Sequence, residues 1–222
     1  QLQLRATPLR WLLARDILKV GALACISPLQ TVLTILIVTR LVAHFGTDAL
    51  AGYGIGTRLE FLLVPIGFAI GVASVPLVGM AIGAGEVARA RRAAWTAAAL
   101  ATVLLGALGL VVTVAPDLWT TQFTQDPAVL ATAALYFRWA GPCYGLFGLG
   151  LCLYFSSMGA GKVGGPVLAG TLRLVLVAAG GGALAFAQAP PWTIFALVAL
   201  AMAAYGLATA VAVRLTSWGP QR

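Results

Sequence analysis

Glu60 is the only acid within the apolar stretches of this sequence, and Arg58 stands two residues before it. A charged group near the centre of a bilayer costs roughly 2.5–3.5 kcal/mol on insertion scales, so each one needs a physical reason. Residues two apart on a helix point to nearly opposite sides. Arg58 is therefore not expected to neutralise Glu60, and the carboxyl must find a donor on another helix or hold a proton. The pair marks the candidate site for a proton or a coupling cation. A structural ion pair or a helix-packing role is the competing reading.

Other polar side chains fall within apolar stretches and are candidates for lining a cleft: Gln30, Thr31 and Thr34, then Tyr53, Tyr136 and Tyr144, with Tyr154 as a further tyrosine. Aromatic faces and apolar walls suit a lipophilic cation, through cation–π attraction and apolar contact area. Each of these residues taken singly also reads as an interface anchor or an interhelical hydrogen bonder. Arg173 and Arg138 are structural intramembrane charges in this reading. Arg138, like Arg40, is close enough to an interface to reach water along its own stem, whereas Arg173 is two to three turns deep.

Catalytic groupings are nearly absent. His44 has no nucleophile or metal partner nearby, and the acids are too scattered for a paired-carboxylate site. Lys162 follows "GAG", but neither a hydroxyl after it nor a strand before it supports a phosphate loop. Cys25, Cys143 and Cys152 lack the close paired spacing of a zinc or redox site and are expected as small core residues. The sequence therefore points to neither an enzyme nor a metalloprotein.

The elements that position these groups are membrane helices. Residues 61–82, 93–116, 139–160, 174–190 and 192–213 contain no Asp, Glu, Lys, Arg or His, and all but the fourth stretch reach the roughly 20 residues that a crossing requires. Hydrophobic residues make up 61% of the chain and charged residues 9%, against roughly 45–50% and 25% in soluble domains. A sixth apolar segment precedes these, and the fourth stretch extends back through Arg173. The reading is an all-α membrane protein with six transmembrane helices, at about 20–43, 50–82, 93–116, 129–160, 163–187 and 192–214.

The chain divides into a lead-in helix at the interface over 1–19, begun by Thr7 and Pro8, a six-helix lobe over 20–214 and a tail over 215–222. Arg5, Arg10, Arg15 and Lys19, then Arg89, Arg91 and Arg92, then Lys162, then Arg214 and Arg222 fall in loops on one side, while the alternate loops carry acids and no Lys or Arg. By the positive-inside rule both termini are cytoplasmic. The net charge of +8 is thus a topology signal and not a nucleic-acid footprint. The sequence begins at Gln1 without a Met or a signal peptide, which reads as a piece of something longer.

Gly67 and Gly71, Gly79 and Gly83, and Gly141 and Gly145 are spaced for close helix packing. Gly52, Gly54 and Gly56, with Pro65 and Pro76 beyond, mark the second helix as deformable.

Three segments carry a family resemblance: "ALAGYGIGTRLEFLLVPIGFAIG" at 49–71, "IGAGEVARARRAAW" at 82–95 and "MGAGKVGGPVLAGTLRL" at 158–174. They resemble the C-terminal six-helix lobe of the multidrug and toxic compound extrusion family over nearly the whole chain. The resemblance implies one lobe of a twelve-helix, two-lobe antiporter. Such a protein expels small lipophilic cations across the inner membrane in exchange for protons or sodium, with an N-terminal lobe and membrane lipid as partners and no other cofactor. Some family branches carry cation-binding acids on the first and fourth helices of this lobe; here those places hold Gln30, Thr31 and no acid. Glu60 is retained where the resemblance puts a membrane acid. A lipid-linked oligosaccharide flippase of the same superfamily and a non-transporting membrane scaffold are the alternatives.

Overall fold

A computed structural model describes residues 11–219. The described residues form helices and turns without a strand: α1 Trp11–Ala43, α2 Thr47–Gly83, α3 Val87–Val114, α4 Asp117–Thr120, α5 Pro127–Ala140, α6 Tyr144–Gly159, α7 Gly164–Phe186 and α8 Pro191–Leu215. α1, α2, α3, α7 and α8 are each long and apolar enough to cross a membrane. Residues 11–19, expected within the lead-in, already belong to α1. Thr7, Pro8 and Arg222 lie outside the described residues.

The crossing expected as one helix over 129–160 is divided. Gly141–Cys143 forms a 3₁₀ turn between α5 and α6, because Pro142 has no N–H to give the carbonyl four residues back. The break is braced from α3, where the Thr113 hydroxyl donates to the carbonyls of Gly109 at 2.7 Å and Phe137 at 3.2 Å. α5, the turn and α6 together stand where the fourth crossing is expected.

Small residues set the packing. A Cβ on Gly109 would overlap the Gly141 carbonyl, and one on Gly145 would sit 2.9 Å from the Thr102 carbonyl, so α3 meets the broken crossing backbone to backbone. On α2, Gly67 and Gly71 face Leu151 and Phe155 of α6, and Gly79 faces Gly159. Gly83 faces open space, so the pair with Gly79 packs on one side only. Outward positions are apolar: Phe61, Val103, Leu168 and Phe186 are all exposed, as lipid-facing residues are.

Two turns at the basic end share one geometry. Gly85 has φ +77° and Gly161 φ +67°. Glu86 N donates to the Ala81 carbonyl at 2.8 Å, and Lys162 N to the Ser157 carbonyl at 2.9 Å. Each is a Schellman closure with glycine in the left-handed position. "GAGK" is therefore the end of a helix. Of the cysteines, Cys152 is buried, Cys143 partly buried and Cys25 exposed; the expectation that all three are core residues holds only for Cys152.

Candidate functional site

Glu60 sits thirteen residues into α2. From Tyr53 to Glu60 is two turns of helix, which brings both side chains to the face that meets α5. Gly52 and Gly56 open that face: a Cβ on Gly52 would lie 2.8 Å from the Val129 carbonyl, and one on Gly56 would enter the Tyr136 ring. Without these glycines α5 could not lie close enough for its tyrosine to reach the carboxyl.

The Tyr136 hydroxyl donates to Glu60 Oε1, and the Tyr144 hydroxyl approaches the same oxygen at 3.4 Å. No described residue donates to Oε2, and the side chain keeps partial exposure. Tyr53 stands edge-on to Tyr136 with ring centroids 5.4 Å apart, and Phe195 of α8 stands edge-on to its other side at 5.3 Å. The carboxyl is thus fixed by two hydroxyls on an aromatic wall from α2, α5, α6 and α8, with one oxygen free of donors among the described residues.

Arg173 of α7 comes toward the same region from another side. Its guanidinium lies 5.4 Å from the Phe147 ring centroid and 5.9 Å from that of Tyr205. It makes no ion-pair contact with Glu60. Two ring faces in place of a carboxylate keep this cation satisfied while leaving Glu60 unpaired.

Arg58 points away. It is exposed and lies 5.1 Å from the Phe123 ring centroid, in the loop before α5, as the two-residue spacing requires. Arg138 is exposed beside Trp139, which stacks on Trp192 at 5.8 Å.

The remaining candidates form a second, separate group. Gln30 is buried on α1, and its Nε2 donates to Thr171 Oγ1 of α7 at 2.7 Å. Gln30 Oε1 is buried without a partner among the described residues. Thr34 turns back to the Gln30 carbonyl at 2.7 Å, and exposed Thr31 to that of Ser27 at 3.1 Å. Of the six cleft candidates, Tyr53, Tyr136 and Tyr144 gather at Glu60, while Gln30 and Thr34 lie between α1 and α7 and Thr31 faces outward.

Sequence reasoning missed Phe147, Phe195 and Tyr205. The signal available for two of them was Arg173, a deep cation that must have partners; nothing local marked which aromatics they were.

The MatE family model matches residues 24–181. The probable multidrug resistance protein NorM of Neisseria meningitidis is 29% identical over 133 residues, covering 59% of this chain and 28% of that protein. The protein of the same description from Aromatoleum aromaticum is 32% identical over 117 residues, 53% and 25% of the two chains. A FAD transporter of Shewanella oneidensis is 26% identical over 113 residues, 51% and 25%. The match thus spans about a quarter of these curated relatives.

Among solved structures, the MATE transporter VcmN of Vibrio cholerae in its bent form superposes with TM-score 0.79 at 21% identity, covering 89% of this chain and 45% of that one. The MATE transporter ClbM in complex with Rb+ superposes with TM-score 0.81 at 24% identity, covering 95% and 48%. The fold is therefore that of one lobe of a twelve-helix, two-lobe transporter. Relatives and structural neighbours alike are transporters and not enzymes. With the family model spanning most of its length, the chain belongs to the MatE family of multi-pass membrane transporters.

Proposed function

We propose that this chain is the C-terminal lobe of an ion-coupled antiporter that exports small lipophilic cations. Glu60, held by Tyr136 and Tyr144, serves in this reading as a binding point for the coupling proton or sodium ion. The observation that carries it is a carboxyl on a transmembrane helix with two hydroxyl donors and, among the described residues, no ion-pair partner and no donor to its second oxygen. A charge placed there meets hydroxyl dipoles and no contacting cation among the described residues, so binding of a proton or a cation changes the local energy steeply.

Coupling follows if inward-open and outward-open lobe arrangements hold that ion with different affinity. The ion then shifts the balance between arrangements, and the drug released outside is exchanged for it. Tyr53, Tyr136 and Tyr144 offer the ring faces that a lipophilic cation prefers. The lobe spans 20–214 with the basic end cytoplasmic, pairs with an N-terminal six-helix lobe and sits in the inner membrane.

The test is Glu60→Gln in the full-length transporter, read by dye efflux and its pH dependence. Loss of efflux, or a changed pH profile, supports the role; wild-type efflux with an unchanged profile overturns it. The flippase reading requires basic side chains gathered about a pyrophosphate, and Arg58 and Arg138 both point away from Glu60. An anionic cargo, such as the Shewanella relative's name describes, meets Arg173 favourably and Glu60 unfavourably. Competition of FAD with dye in the same efflux assay separates the two cargo types.

A further inference from the structure

Four arginines crowd the basic end beside the α2–α3 turn, and they divide into two pairs. Arg91 donates to the Thr216 carbonyl at 2.7 Å and to that of Arg214 at 3.4 Å, and stands 5.9 Å from the Trp218 ring. Arg214 lies over the Trp95 ring at 5.0 Å. Both are occupied in holding the end of α8 to α3. Arg89 and Arg92 are left facing out. Arg89 makes an exposed ion pair with Glu86 at 3.1 Å, and Arg92 has no hydrogen-bond or ion-pair partner among the described residues.

These two arginines stand at the mouth of a groove of about 1290 Å³ between α2 and α3. Its walls are apolar, with Ile70 and Leu77 on one side and Ala97 and Leu100 on the other; Thr96 is a polar lining residue on α3. From Arg89 to Leu100 the wall runs about 16 Å along the helix, roughly half the thickness of a bilayer's hydrocarbon core. Leu77 and Leu100 are more than half exposed.

A soluble anion would use the arginines and leave this wall bare. An acyl chain alone would use the wall and leave two cations idle. We propose that the groove seats one anionic phospholipid of the leaflet at the basic end, its phosphate on Arg89 and Arg92 and a chain along Leu77 and Leu100. The charge balance argues for an anionic over a zwitterionic headgroup: two cations, Arg92 unpaired and Arg89 on Glu86, face that single acid. Basic pockets between transmembrane helices are a recurring means of lipid selection.

The natural full-length protein, purified in detergent, is offered dioleoylphosphatidylglycerol or dioleoylphosphatidylcholine and the retained lipid is counted by native mass spectrometry. Phosphatidylglycerol is expected to be retained preferentially. Arg89→Gln with Arg92→Gln should lower its retention roughly thirtyfold and leave phosphatidylcholine unchanged, while Glu86→Gln should raise it. Ala97→Trp, which fills the groove, should displace both lipids; the arginine variants lie at exposed positions and carry the test if Ala97→Trp does not fold. Equal retention of the two lipids by the wild type overturns the proposal, as does retention indifferent to both arginines. Equally tight binding of glycerol phosphate identifies a soluble-anion site and overturns it too. If the arginine variants instead separate the two lobes without altering lipid retention, the groove receives protein and the lipid assignment fails.

Discussion

Tyr136 and Glu60 lie 76 residues apart in sequence and share a hydrogen bond between α5 and α2, the hydroxyl donating to Oε1. Hydrogen bonds to charged groups contribute about 1.5–3 kcal/mol, so this contact has the energy to set the behaviour of the carboxyl. Tyr136→Phe is expected to change the pH dependence of efflux by the full-length transporter. Tyr144→Phe, which removes a donor at 3.4 Å, should change it less. Equal effects from the two variants would remove the ranking.

Gly56 and Gly54 are neighbours with opposite expectations. A Cβ at Gly56 enters the Tyr136 ring, while one at Gly54 meets nothing within 4 Å. Gly56→Ala should destabilise by about 1–3 kcal/mol through overpacking. Gly54→Ala should be neutral or stabilising by up to about 1 kcal/mol, from helix propensity. Thermal denaturation in detergent compares them directly.

Arg173 is held by the Phe147 and Tyr205 rings. Arg173→Gln removes both cation–π contacts and should cost about 1–2 kcal/mol. Phe147→Leu should lose only part of that, because Tyr205 still faces the guanidinium. If Arg173→Gln leaves the melting temperature where it was, the rings do not stabilise the cation.

Gln188 adopts φ +50° after α7, and Ala189 N closes onto the Leu184 carbonyl at 3.0 Å. This is the closure seen at Gly85 and Gly161, made without a glycine. Gln188→Gly should stabilise by roughly 1 kcal/mol, and Gly85→Gln should destabilise by a similar amount. A melting-temperature rise for the first and a fall for the second is the expected pattern.

The membrane helices could be read from sequence because lipid imposes one requirement on every outward position, and a charge-free run of twenty residues displays it directly. Five crossings end close to their expected bounds, although α1 and α3 begin well before residues 20 and 93. The fourth crossing, expected as continuous over 129–160, breaks at Gly141 and Pro142, where proline's missing donor interrupts the ladder inside an otherwise unbroken apolar run. Arg58 and Glu60 were separable by helix geometry alone. Their partners were not, since Phe123, Tyr136 and Tyr144 reach them only through tertiary packing. Gln30 and Thr31, adjacent in sequence, part company for the same reason: one is buried against α7 and the other faces out.

The interruption at Gly141–Cys143 places the two hydroxyls that grip Glu60 on different rods, Tyr136 before the joint and Tyr144 after it. Were the pair on one unbroken cylinder, tilting it would withdraw both fingers at once. With a joint between them, moving one rod does not by itself draw the other's finger off the carboxyl.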